Sequence, residues 1–166
     1  MANKFRLTTK QQLILLTPLV ILNCILILGC QYILKIELTN KAFLITISVF
    51  FLIDALPTLI VHLQYWLKNR GCELIIDTQS KTISFEEPNR KKVYSFDQIK
   101  SLHYYNSYAS GTGWHSFGQY RFYKIAFNDE TEIFVTCLMV NSIEKTIPML
   151  LRIDGEKHLK IVAFLW

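Results

Sequence analysis

Two long apolar runs in the first 67 residues constrain this chain more than any other feature. Residues 13–34 contain no charged side chain, and residues 42–67 contain only one, Asp54. A helix needs about 20 apolar residues to cross the hydrocarbon core of a bilayer, and both runs are longer. Because 51% of the 166 residues are hydrophobic, the composition also argues against an ordinary soluble domain. We therefore predict two membrane spans, at about 13–34 and 42–67.

The segment "KIELTNK", residues 35–41, joins the two runs and is so short that it predicts an antiparallel helical hairpin. The first run is too long for the apolar core of a signal peptide, and no small-residue cleavage pattern precedes Lys35. Basic side chains flank the outer ends of the hairpin: Lys4, Arg6, Lys10, Lys68 and Arg70. By the positive-inside rule, both termini face the cytoplasm at the inner (cytoplasmic) membrane. We predict a transmembrane hairpin over residues 1–67 and a cytoplasmic domain over residues 68–166.

After residue 70 the apolar pattern gives way to short alternating runs bounded by turn residues, which is typical of strands. The predicted strands are residues 72–77, 82–87, 92–96, 99–108, 120–127 and 131–140. Near residue 141 a helix is indicated that Pro148 would interrupt, and residues 158–166 fit a closing strand or a short helix. Strands this short bury their faces only by curling together, so we predict a small antiparallel barrel or curved sheet. The fold class is an α+β membrane protein.

The succession "YSFDQIKSLHYY" and "YRFYKIAFNDETEIFVTCLMV" behind two membrane spans resembles small bacterial membrane proteins with a pleckstrin-homology-like (PH-like) β domain. The resemblance covers nearly the whole chain, and it implies a curved antiparallel barrel with a helix. The same outline is similar to two-span membrane effectors of antiphage systems such as CBASS. In those effectors a β-barrel senses a nucleotide second messenger.

Catalytic signatures are absent from the sequence, which contains no HExxH, GxSxG, Walker or GxGxxG motif. The four cysteines lack the spacing of a metal site or of a disulfide framework, and the four histidines are scattered. We predict that the protein is not an enzyme and needs no cofactor or metal.

Aromatic and basic residues are densest around the loop "SGTGWHSFG", where we single out Tyr105, Trp114, His115, Arg121 and Lys124. Such residues can stack on a base and bind its phosphate, although core or interfacial packing explains aromatics more often. A basic cluster, Arg90, Lys91 and Lys92, sits at a predicted hairpin tip. It fits a phosphate or an anionic lipid, or a solvated turn.

Asp54 lies halfway along the second span, and Asn23 lies halfway along the first. A charged group at that depth costs at least about 2.5 kcal/mol, so it needs polar neighbours or water. Thr58, His62 and Tyr65 follow Asp54 on one helical face. This polar stripe predicts either a hydrated path enclosed by several copies of the hairpin or an Asn23–Asp54 hydrogen bond that holds one hairpin together.

Two functions from different classes follow. The first is a homo-oligomeric membrane effector or channel, whose β domain senses a nucleotide or oligonucleotide from a partner enzyme and opens the membrane, as in antiphage defence. The second is a non-enzymatic, membrane-anchored adaptor whose PH-like domain binds a protein or a lipid. Membrane lipids are partners in both.

Overall fold

The computed structural model describes residues 2–33, 40–110 and 115–165. Its strands are β1 (Ala2–Arg6), β2 (Glu73–Asp77), β3 (Thr82–Glu87), β4 (Arg90–Ser95), β5 (Ile99–Ser107), β6 (Arg121–Phe127), β7 (Glu132–Thr136) and β8 (Glu156–Lys160). Its helices are α1 (Thr9–Leu28), α2 (Lys41–Phe50), α3 (Leu56–Asn69) and α4 (Ile143–Leu151). The connection between the two predicted spans lies largely outside the described residues, as does Trp114.

Two long helices form the N-terminal hairpin, because π-helical turns extend α1 and join α2 to α3. The continuous helices Thr9–Tyr32 and Lys41–Asn69 are each long and apolar enough to cross a bilayer. Thr8 and Asn40 cap their N-termini. The π-helical turn at Phe51–Ala55 ends two residues before Pro57, which has no backbone N–H to bond the preceding turn. The helix nevertheless continues through Pro57 to Asn69.

The strand β1 precedes the hairpin and pairs antiparallel with β2, which follows it; Arg6 lies opposite Glu73 and Ala2 opposite Asp77. The hairpin is thus an insertion between two paired strands, attached through residues 7–8 and 70–72. The sequence-based division at residue 67 assigned this strand to the hairpin. The structure instead gives it to the β domain, where Phe5 packs against the core.

The strands form two four-stranded sheets, with the orders β1-β2-β3-β4 and β7-β6-β5-β8. All pairs are antiparallel except β5 and β8, which run parallel. Of the predicted alternatives, a barrel or a curved sheet, the barrel is wrong, because the two sheets do not join into one cylinder. A 3₁₀ turn at Phe96–Gln98, capped by Ser95, separates the end of β4 from β5 and redirects the chain into the second sheet.

The helix indicated near residue 141 is α4, and of the two alternatives for residues 158–166 the strand occurs, as β8 (Glu156–Lys160). Pro148 lies inside α4, which still runs on to Leu151, so it does not interrupt the predicted helix.

One core connects the β domain to the hairpin. Apolar residues of both sheets and of α4 form it, and Leu15 of α1 and Val61 and Tyr65 of α3 are part of the same cluster. The hairpin therefore presents two different flanks. An inner flank packs on the β domain, while an outer flank, marked by Leu13, Leu63 and Leu67, leaves its apolar side chains exposed.

Candidate functional site at the contact between the hairpin and the β domain

Asp54 is buried against the β domain, with 1% of its surface exposed. The backbone N–H of Ser116 donates a hydrogen bond of 2.9 Å to Asp54 Oδ1, and His115 Nδ1 lies 3.4 Å from the same oxygen. Ser116 belongs to a short 3₁₀ turn, Ser116–Gln119, that lies against the hairpin. The carboxylate thus has polar neighbours within one copy of the chain, and the β domain supplies them.

Two other residues of the predicted polar stripe, His62 and Tyr65, bond to the β domain. His62 Nδ1 lies 2.8 Å from the hydroxyl of Tyr120, and the Tyr65 hydroxyl donates to the carbonyl of Ala163 at 2.7 Å. Thr58 is buried, and its hydroxyl donates to the carbonyl of Asp54, one turn earlier in the helix, at 2.6 Å. Asp54, Thr58, His62 and Tyr65 thus lie on the inner flank of the hairpin.

Asn23 makes a local contact instead of bonding to Asp54. Its side-chain amide donates to the carbonyl of Leu19 in the same helix at 2.7 Å. The Asn23–Asp54 hydrogen bond, one of the two predicted alternatives, does not form, because Asp54 Oδ1 points to the turn at Ser116. Asp54 Oδ2 has no hydrogen-bond partner among the described residues.

A groove of about 610 Å³ runs between α1 and this part of the β domain. Ile21, Leu22 and Ile25 give it an apolar wall, and His115 and Gln119 contribute to its polar wall. An elongated molecule with an apolar chain and a polar end matches such walls in chemistry. His115 is the predicted ligand-binding residue that the structure brings next to Asp54.

Of the other predicted aromatic and basic residues, Arg121 lines the same groove as His115, whereas Tyr105 and Lys124 do not line it. Arg121 and Lys124 stand on opposite faces of β6, as an odd spacing on a strand requires. Arg121 forms an ion pair with Glu144 of α4 at 3.2 Å, and Lys124 forms one with Glu132 at 2.6 Å. Tyr105 lies on the same face of the sheet as Lys124, where it stacks against Phe122 at 4.7 Å and His158 at 4.9 Å.

Burial fixes the protonation of several groups at this contact. It raises the pKa of the Tyr120 hydroxyl, so the group stays neutral and remains a hydrogen-bond partner for His62. Burial also raises the pKa of the Cys137 thiol to about 12. Cys137 therefore behaves as a small apolar residue in the core.

Basic residues gather at the root of the hairpin, where its two connections enter the β domain. A shallow cleft of about 480 Å³ there is lined by Lys68, Arg70 and Arg90 together with Glu87 and Asn89. The turn between β3 and β4 thus lies beside the end of α3. A Cβ atom at Gly71 would come within 3.1 Å of Pro88 in that turn, which shows how closely the two segments approach.

The three residues of the predicted basic cluster, Arg90, Lys91 and Lys92, each have a different environment. Arg90 lines the cleft, and Lys91 forms an ion pair with Glu86. Lys92 lies opposite Phe85 in the ladder between β3 and β4. Arg70 packs its guanidinium over the ring of Trp66, 4.9 Å from the ring centroid. Within the described parts of the chain, neither Arg70 nor Arg90 has an ion-pair partner.

Comparison with known proteins assigns the fold to a family. No curated protein and no solved structure matches the sequence. A family model described as a PH domain matches residues 4–145, a range that begins in β1, takes in the whole hairpin and ends in α4. The match supports the view that strands on both sides of the hairpin make one domain, and the chain belongs to this PH domain family.

Proposed function

We propose that the protein is a non-enzymatic membrane adaptor, in which the hairpin anchors a PH domain and the basic cleft at its root binds anionic lipid headgroups. The single observation that carries the proposal is the position of the cleft. Lys68 and Arg70 come directly after the last exposed apolar residue of α3, Leu67, and Arg90 joins them from the β domain. Basic groups at the edge of an apolar span meet the headgroup layer.

The exposed side chains of the hairpin support its insertion into lipid. The outer flank is apolar from Leu13 on α1 and up to Leu67 on α3. The second helix has 29 residues and is about 43 Å long at 1.5 Å per residue, which exceeds a hydrocarbon core of about 30 Å. A helix of this length tilts. A tilt that turns the inner flank toward the cytoplasm keeps the β domain out of the hydrocarbon and leaves the outer flank in lipid.

The chemistry of the cleft favours a phosphate-bearing lipid. Arg70 and Arg90 are exposed and keep their guanidinium groups available, and Trp66 holds Arg70 at the level where tryptophans anchor membrane helices. Each basic residue near an anionic surface contributes about 1 kcal/mol of attraction. Two of them therefore account for about a 30-fold preference for anionic over zwitterionic lipid.

Lipid retention by the full-length protein tests this proposal. The protein is purified from mixed phosphatidylglycerol and phosphatidylcholine, and the lipids that remain bound are counted by native mass spectrometry. We expect the wild type to retain phosphatidylglycerol selectively and the double variant Arg70→Gln, Arg90→Gln to lose that selectivity. Lys145→Gln is the matched control, because it removes an exposed positive charge from α4. Equal selectivity in the wild type and the double variant would overturn the proposal.

A homo-oligomeric channel gated by a nucleotide or oligonucleotide is the second candidate. The hydrogen bonds of the β domain to Asp54, His62 and Tyr65 favour it. Because these bonds join the two parts directly, a ligand that moves the turn at Ser116 would also act on the hairpin. The same contacts leave fewer polar groups to line a path. Liposomes that contain the protein and conduct ions only with an added nucleotide, and not with Asp54→Ala, which removes the acceptor for the Ser116 N–H, would place this function first.

A further inference from the structure

Three side chains of types that can ligate a metal lie close together on the second sheet, away from the hairpin contact. They are His103 on β5 and Glu156 and His158 on β8, and one ligand atom from each lies within 4.8 Å of the others. The parallel register of β5 and β8 places His103 opposite Glu156 and Tyr105 opposite His158. Residues at alternate positions of paired strands share a face, so the three side chains project from the same side of the sheet.

We propose that His103, Glu156 and His158 bind a zinc ion. His103 Nδ1 lies 3.1 Å from His158 Nε2 and 3.2 Å from Glu156 Oε2, and the latter two atoms are 3.8 Å apart. Zinc bonds to nitrogen and oxygen measure about 2.0–2.2 Å, so the ligand atoms of a tetrahedral site are about 3.3–3.6 Å apart. The three atoms therefore already form one face of such a tetrahedron to within a few tenths of an ångström.

Hydrogen bonding alone satisfies this arrangement poorly. His103 Nδ1 faces both an imidazole nitrogen and a carboxylate oxygen. If His103 Nδ1 carries the proton, two acceptors, His158 Nε2 and Glu156 Oε2, compete for it. If His158 Nε2 carries the proton and donates it to His103 Nδ1, the lone pair of Nδ1 also faces the carboxylate oxygen of Glu156, and neither of these two atoms has a proton to donate. A cation at the centre of the triangle accepts electron pairs from all three atoms at once. Two imidazoles and one carboxylate suit zinc.

The surroundings hold the ligands in the required orientation. His103 Nε2 lies 2.9 Å from the Ser101 hydroxyl, so Nε2 can carry the proton and leave Nδ1 free for the metal. The His158 ring is stacked on Tyr105 at 4.9 Å. Lys124, the cross-strand neighbour of His103, is ion-paired with Glu132 and does not present an unpaired positive charge to the site. Glu156 is mostly exposed, so a fourth ligand such as water has access.

The ion would tie β8 to β5, and β8 leads into the segment that contacts the hairpin. The carbonyl of Ala163 accepts the hydrogen bond from Tyr65, and the backbone N–H of Leu165 donates to the side chain of Gln64 at 3.2 Å. The carbonyl of Ile161 accepts from Ser107. Zinc binding therefore stabilises the C-terminal segment against the second helix. This inference does not depend on the lipid site proposed above.

Calorimetric titration of the full-length protein in detergent, stripped with a chelator and then supplied with zinc chloride, tests the proposal. We expect one zinc ion per chain. Loss of an outer-shell partner alone weakens zinc binding by about 10- to 100-fold, so His103→Ala and His158→Ala should each weaken it by more than about tenfold. Lys157→Ala should bind zinc like the wild type, because its side chain projects from the opposite face of β8.

Glu156→Gln provides a variant whose fold is not at risk, because the side chain is mostly exposed. Zinc should slow hydrogen exchange of the β8 amides in the wild type and in Lys157→Ala, and have little effect in Glu156→Gln. If the wild type bound no zinc, or if the two histidine variants bound it as tightly as the wild type, the assigned site would be wrong.

Discussion

The backbone N–H of Ser116 and Oδ1 of Asp54, 62 residues apart in the chain, are joined by a hydrogen bond of 2.9 Å. This bond explains a carboxylate in the middle of an otherwise apolar helix without a second copy of the chain. It also attaches the turn Ser116–Gln119 to the hairpin.

Asp54→Ala should loosen this turn, whereas Asp54→Asn should not. Alanine leaves the buried N–H of Ser116 without an acceptor, which costs about 1–3 kcal/mol, while asparagine keeps an oxygen at the same place. Hydrogen exchange at the Ser116 amide should therefore rise by about tenfold or more in the alanine variant, since about 1.4 kcal/mol corresponds to tenfold. Asp97→Ala, at an exposed position, is the control. Unchanged exchange in Asp54→Ala would contradict the assigned bond.

Gly118→Ala should displace the same turn from the other side. A Cβ atom at Gly118 would lie 2.7 Å from the carbonyl oxygen of Ala109, which is backbone and cannot swing away. The variant should lose about 1–3 kcal/mol of stability, as over-packed sites do. Gly29→Ala is the matched control, because a Cβ there meets nothing within 4 Å. Thermal unfolding in detergent compares the two, and equal midpoints would show that the turn is looser than described.

Local features of this fold are visible in the sequence. The spans predicted at 13–34 and 42–67 fall on the helices Thr9–Tyr32 and Lys41–Asn69. A long apolar run predicts a helix of this length without information from the rest of the chain. The strand predicted at 82–87 coincides with β3, since alternation marks a strand with one buried face. The PH-like domain was expected from a resemblance to a known family, and the family match confirms it.

The long-range features are not visible in the same way. The strand β1 is short and half polar, and only its pairing with β2 beyond the hairpin makes it a strand. The partner of Asp54 is a backbone N–H in a loop, which no side-chain pattern marks. Closure of a barrel depends on which edge strands pair, and alternation within a strand does not contain that information. The separation of Arg121 from Lys124 was open to prediction, because a spacing of three puts strand residues on opposite faces.

Acid should weaken the turn between β6 and β7 through Asp129. The backbone N–H of Thr131 and the hydroxyl of Tyr94 donate to its carboxylate, and the first of these is the main cause that lowers the pKa of Asp129. A lowered pKa stabilises the fold above the ordinary aspartate pKa, and this contribution is lost as the pH falls through the folded value. Asp129→Asn keeps an acceptor oxygen but does not titrate. The thermal unfolding midpoint should therefore fall less between neutral pH and a pH below about 4 in Asp129→Asn than in the wild type.

An identical dependence on pH in the variant and the wild type would assign the acid sensitivity to other groups. Asp77 is one such group, because the backbone N–H of Gln79 lowers its pKa in the turn between β2 and β3. The double variant Asp77→Asn, Asp129→Asn should therefore show a still smaller loss of stability in acid. Lys100→Gln, at an exposed position on β5, serves as the control for a change in surface charge.

Cys24 reports directly on whether the hairpin lies in lipid. It is a free cysteine on the exposed surface of α1, whereas Cys30, Cys72 and Cys137 are buried in the protein. A maleimide that cannot cross membranes reacts with a hydrated thiolate, so Cys24 should resist it in liposomes and react after solubilisation in SDS. Asn89→Cys, in the exposed turn between β3 and β4, should be labelled rapidly in the same liposomes. Labelling of Cys24 as fast as the cysteine introduced at position 89 would mean that water, and not lipid, covers α1.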